Sequence, residues 1–87
     1  MKFIFTKHAI VDKLAMLKRH QFKTRVTKQL IKQTILAPEH IDEKSDLPKI
    51  IASKAIDERH ILRVVYRKEN DTIIVITFYP AEKGRYY

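Results

Sequence analysis

Eighty-seven residues and 10.4 kDa allow one small domain, and 45% hydrophobic content with one glycine and three prolines excludes a disordered or fibrous chain. The absence of cysteine excludes a disulfide scaffold, thiolate metal sites and a cysteine nucleophile, and fits a reducing cytoplasm. Eighteen Lys and Arg against ten Asp and Glu give a formal charge of +8, and no apolar run approaches the ~20 residues of a membrane span or the ~7–15 of a signal-peptide core.

Lys2–Phe5 is short, aromatic and β-branched, which predicts a first strand. Thr6 is placed to cap a helix from about Lys7 to Arg19, with Ile10, Leu14 and Leu17 at helical spacing. After a break at His20 to Lys23, Thr24 is the expected cap of a second helix from about Arg25 to Leu36. Val26, Leu30, Ile31 and Ile35 fall on its apolar side, and Arg25, Lys28 and Lys32 form a basic stripe on the other. Pro38 stops it, because the residue before a proline avoids helical angles.

Glu39–Pro48 reads as a loop with room for a short extended piece. Strands are predicted over Lys49–Asp57, His60–Lys68 and Thr72–Tyr79, the last two joined in a hairpin through Glu69, Asn70 and Asp71. Alternation sets Leu62, Val64 and Tyr66 against Ile61, Arg63, Val65 and Arg67 on opposite faces. In the following strand it sets Ile74, Ile76 and Phe78 against Ile73, Val75, Thr77 and Tyr79. Pro80 is expected to end that strand, leaving Ala81–Tyr87 as a tail. The order predicts a single α+β domain over residues 1–87: an N-terminal strand, two helices, then an antiparallel sheet of three or more strands with the helices on one face.

Charge is unevenly placed. Residues 1–37 carry nine basic groups against Asp12 alone, whereas Glu39, Asp42, Glu43 and Asp46 face only Lys44 in residues 38–48. A basic field of this size concentrates polyanions and speeds their arrival, so a nucleic acid or an acidic protein is the partner to expect. The alternative is a solvated helical face serving solubility only.

One cluster can carry chemistry: His60, Arg63 and Arg67, with Lys54 on the neighbouring strand and Arg85, Tyr86 and Tyr87 in the tail. If the tail folds back along the sheet, these groups converge on one face. Cleavage of RNA without metal needs a base for the 2′-hydroxyl, cations for the charge developing on phosphorus and an acid for the leaving oxygen. His and Tyr can move the protons, and Lys and Arg can bind phosphate. The competing reading makes the arginines ordinary solvent-face residues and the terminal tyrosines packing groups. Tyr66-Arg67-Lys68 and Arg85-Tyr86-Tyr87 also interleave rings with cations, as base stacking requires.

His8, His20, His40 and His60 are scattered without metal-ligand spacing, so no metal site is expected. No other cofactor is expected either. The lone glycine, Gly84, excludes a phosphate-cradling glycine loop, and Ser45 and Ser53 stand in no serine-hydrolase motif.

Three ordered stretches, Phe5-Thr6-Lys7-His8-Ala9, Ile56 through Tyr66 and Val75-Ile76-Thr77-Phe78-Tyr79-Pro80, resemble small bacterial domains of unknown function related to the BrnT and RelE/ParE toxins. The resemblance runs over nearly the whole chain. It implies two helices packed on a curved antiparallel sheet, and, in RelE-type members, an endoribonuclease that cuts messenger RNA on the ribosome by 2′-oxygen transfer to phosphorus. By position it implies catalytic roles for Lys54, Arg63, Arg85 and Tyr87, with His60 as a further proton carrier. Arg25, Lys28, Lys32, Arg67 and Tyr86 are then the nucleic-acid contacts. The expected partners are RNA and an acidic antitoxin, in the cytoplasm and away from membranes. ParE-type members inhibit gyrase and cleave nothing, so a macromolecule-binding protein without catalysis, or an interaction domain, is the alternative. A homodimer that buries Ile61, Val65, Ile73 and Val75 is the competing use of the open face.

Overall fold

A computed structural model describes residues 2–7, 9, 27–45 and 47–84. Five strands and one helix are built from them: β1 (Lys2–Phe5), α1 (Lys28–Leu36), β2 (His40–Asp42), β3 (Ile50–Ala55), β4 (His60–Glu69) and β5 (Thr72–Glu82). The sheet order is β1-β5-β4-β3-β2. The α+β class stands as expected. The sheet is mixed rather than antiparallel, because β1 runs parallel to β5 while every other pair is antiparallel. Parallel neighbours need a long connection, and the whole of the chain between β1 and β5 supplies it. The helix expected over Lys7–Arg19 lies almost wholly outside the described residues. The contact that would cap it is present: the Ala9 N–H donates to Thr6 Oγ1 at 3.2 Å.

The α1 helix begins a turn later than its sequence pattern suggested. Thr27, not Thr24, is its cap: its backbone is extended (φ −112°, ψ 165°), and its hydroxyl accepts the Leu30 N–H at 3.1 Å. Three of the four residues expected on the apolar side are described. Ile31 and Ile35 are buried, with Thr34 between them, and Leu30 is half-buried. Thr34 is tolerated inside because its hydroxyl donates to the Leu30 carbonyl at 2.8 Å. This face packs over β3 and β4.

On the helix side of the sheet Leu62, Val64 and Tyr66 of β4 meet Ala52 of β3 and Ile73, Val75 and Phe78 of β5. Unbroken alternation along β5 would put Phe78 opposite Ile73 and Val75. A β-bulge prevents this: Val65 pairs with Thr77 and Tyr66 with Val75, leaving Ile76 as the extra residue. The Ile76 carbonyl is taken by the Thr6 hydroxyl at 2.9 Å. Ile73 and Val75 are therefore core residues under the helix, correcting their expected place on the open face.

The acidic segment supplies the short extended piece for which it had room: β2, whose three residues pair antiparallel with β3. Its start is held by Glu39, whose N–H donates to the Ser53 carbonyl at 2.9 Å and whose carboxylate accepts the Ala55 N–H. Pro80 does not end β5, which runs on to Glu82. β1 accompanies β5 only as far as Val75, so among the described residues Pro80 lies where β5 has no second ladder to supply. The β4–β5 hairpin closes through Asn70, at φ 56°, a conformation Asn accepts more readily than most residues.

Candidate functional site

Paired residues of adjacent strands share a face, so the registers define what stands opposite the helix. One rung crosses four strands there: His40 of β2 pairs with Ser53, Ser53 with Arg63, and Arg63 with Tyr79. The next rung is Asp42, Ile51, Val65 and Thr77. An imidazole, a hydroxyl, a guanidinium and a phenol thus lie in one row, neighbours about 5 Å apart by strand spacing. A shallow cleft lined by residues 40–45 opens at the β2 end of that row.

Arg63 is the row's cation and is only 9% exposed. Its Nε donates to Tyr79 Oη at 2.9 Å, and its guanidinium carbon lies 5.7 Å from the Tyr79 ring centroid. The phenol both orients the guanidinium and offers it a π face. Ser53, 1% exposed, stands between Arg63 and His40. In the adjoining rung the Asp42 carboxyl is held down at about 2, first by the Ser45 and Lys44 N–H groups, each 3.0 Å from Oδ1, with a smaller pull from Arg63. Thr77 Oγ1 is buried without a hydrogen-bond partner, an arrangement that typically costs about 1–3 kcal/mol.

The residues expected to converge on Arg63 divide. Lys54 pairs with Leu62 and His60 with Glu82, so both belong to the helix side of the sheet and not to Arg63's face. This corrects the expected cluster, and its cause is the period of two along each strand. His60 instead belongs to the β3–β4 turn. Its Nδ1 lies 3.0 and 3.1 Å from the two Asp57 carboxylate oxygens, while the N–H groups of Arg59 and His60 donate to Asp57 Oδ1 at 2.8 Å. The Arg59 N–H, first, and the bonds to His60 lower the Asp57 pKa.

Arg67 keeps Arg63's face but is engaged by Glu69 in an exposed ion pair. Tyr66 is buried under the helix, so its ring cannot stack on a base, and burial raises its pKa. Lys28 and Lys32 are exposed, with Nζ 5.6 Å from the Phe5 ring centroid and 5.5 Å from that of Phe3. Arg25, Arg85, Tyr86 and Tyr87 lie outside the described residues.

Sequence reasoning missed His40, Ser53 and Tyr79. His40 was hidden in a segment read as loop, where alternation assigns no face. Ser53 stands in no hydrolase motif, and its place beside Arg63 follows only once β3 and β4 are paired. Tyr79 shares Arg63's face by alternation, but its place opposite Arg63 follows only from the β4–β5 register. Among the described residues no group of His, Asp and Glu is arranged to hold a metal ion, and no helix is long and apolar enough to cross a membrane. No protein-family model, curated protein or solved structure matches the chain.

Proposed function

We propose that the chain is a toxin-like endoribonuclease of a type II toxin–antitoxin pair, with RNA as substrate and an acidic antitoxin as partner. The observation that carries this reading is the His40–Ser53–Arg63–Tyr79 row on the face opposite the helix, in a chain of charge +8. The reaction forms a bond from the 2′-oxygen to phosphorus and breaks the bond to the 5′-oxygen, giving a 2′,3′-cyclic phosphate and a 5′-hydroxyl. One side chain takes the 2′-hydroxyl proton as base and, now an acid, returns that proton to the leaving oxygen, so the balance closes with a single carrier. Arg63 is the group to neutralise charge on the phosphorane, with Tyr79 fixing its orientation. His40, two strand spacings or roughly 10 Å away, is the proton carrier within reach of the same phosphodiester. His60 loses that assignment because it sits on the other side of the sheet.

A second reading, a macromolecule-binding protein without catalysis, is favoured by the separation of Lys54 and His60 from Arg63, which removes two groups from the site. Induced expression followed by mapping of messenger RNA ends distinguishes the two. New ends that vanish with Arg63→Ala support the nuclease, and removing one such transition-state contact typically lowers turnover about 10²–10³-fold. Growth arrest without new ends supports the binder. No effect on growth leaves an interaction domain.

A further inference from the structure

The cleft at the β2 end of the Arg63 row has a chemistry that specifies what enters it. It measures about 360 Å³ and is lined by residues 40–45. That is the small end of the range for ligand clefts, about 300–1,000 Å³, and suits one planar ring system. Asp42 and Glu43 outweigh Lys44 there, so a phosphate is repelled while a neutral ring bearing N–H groups is not. Asp42 is the acid that faces the row: it lies one rung along on Arg63's side of the sheet, and Arg63 adds its pull to the carboxyl. The charge of Glu43 acts instead on Tyr66, beneath the helix.

With its pKa near 2, Asp42 is ionised throughout the neutral range, and an ionised carboxylate accepts hydrogen bonds without donating any. Its Oδ1 is taken by the Lys44 and Ser45 N–H groups, which leaves the lone pairs of Oδ2. The exposed Ser45 hydroxyl also bonds this carboxylate and can rotate to water when a ligand donor arrives. Guanine alone among the RNA bases sets two donors, N1–H and the N2 amine, side by side on its Watson–Crick edge. Adenine and cytosine set one amine beside an accepting ring nitrogen, which repels the carboxylate, and uracil sets its N–H between two carbonyls. His40 lines the cleft and is the carrier of the 2′-hydroxyl proton. That hydroxyl belongs to the nucleotide on the 5′ side of the scissile phosphate, so this nucleotide lies toward β2 from Arg63.

We infer that the cleft is a base subsite selecting guanine on the 5′ side of the cut, with Asp42 accepting its N1–H and N2 amine while the phosphate rests on Arg63. Asp42 and Arg63 are two strand spacings and one two-residue step apart, roughly 12 Å between Cα positions. The two side chains shorten that gap, and one nucleotide bridges it. The inference rests on the ribonuclease reading and adds a sequence preference to it.

The probes are the 3′-monophosphates of guanosine, adenosine, cytidine and uridine, each titrated into the intact chain and followed by NMR. The guanosine nucleotide is expected to bind about tenfold or more tighter than the other three, and to shift the Lys44 and Ser45 amides together with Arg63 Nε. Asp42→Asn keeps an oxygen for the same two N–H groups, so the circular dichroism spectrum at neutral pH and the nucleotide shifts at Arg63 should persist. The guanine preference should fall to about twofold or less in that variant, because the carboxylate is gone. Glu43→Gln should leave the preference in place. Equal affinity of all four nucleotides for the unaltered chain, or a preference that survives Asp42→Asn, would overturn the inference and leave the ribonuclease reading standing. Failure of every nucleotide to shift Arg63 would overturn both.

Discussion

Thr77 and Arg63 pose opposite problems on one sheet face. Arg63 is a cation nine-tenths buried but held by a phenol, whereas Thr77 buries a hydroxyl with nothing to bond to. Thr77→Val keeps the shape and removes the orphan, so it should stabilise the fold by about 1 kcal/mol in urea unfolding. An equal or lower midpoint would mean that Thr77 is bonded in solution. Asp42 gives a pH prediction. Its folded pKa of about 2 lies below the ordinary 3.8, so the stabilisation from its turn is complete above about pH 4 and is lost as pH falls through 2. The carboxyl carbon should titrate with a midpoint near 2 by NMR, and Asp42→Asn should remove that component of the acid response. A midpoint near 3.8 would show that the Lys44 and Ser45 N–H bonds do not hold. At this scale the sequence made Arg63 legible, since a lone cation among Ile61, Leu62, Val64 and Val65 on a strand can only stand out. It misled at His60 and Lys54, which are near Arg63 in sequence or on the next strand yet face the other way.

Thr27 decides where α1 starts. A nine-residue helix is too short to persist by itself, so its cap and its two buried isoleucines carry it. Thr27→Ala removes the acceptor of the Leu30 N–H and should cost about 1 kcal/mol, lowering the thermal midpoint by about 4–8 °C. Thr24→Ala should leave the start of α1 unmoved; a larger loss at Thr24 than at Thr27 in thermal scans would reverse the assignment. The choice between the two threonines was not readable beforehand, because either precedes a run with acceptable spacing and capping depends on one backbone angle. The bulge at Ile76 was hidden for a similar reason. A run of Ile73, Ile74, Val75 and Ile76 is apolar on both faces, so periodicity cannot reveal an inserted residue. The β3–β4–β5 meander was legible because polar turns bound each apolar run. β2 was obscured by acidic residues that are rare in strands but acceptable at an edge.

At the scale of the whole chain, charge and burial decide how molecules meet. The apolar residues expected to form a dimer face are already used within one chain: Ile73 and Val75 lie under the helix, and Ile61 and Val65 are 0% and 8% exposed on the other face. Hydrophobic association is proportional to apolar area removed from water, and these four side chains have almost none left to give. A net charge of +8 adds repulsion between copies at low salt. Screening shortens that repulsion to about 3 Å at 1 M salt but creates no apolar contact. The chain should therefore sediment as a monomer at both low and high salt. Adding RNA should produce a heavier species at low salt that dissociates as salt rises, because each phosphate neutralised by Lys or Arg releases counterions. A dimer that persists in both salts would make the Arg63 face or the β1 edge a subunit interface, and the row at Arg63 would then be read as packing. A monomer that ignores RNA at low salt would remove the polyanion reading at its root.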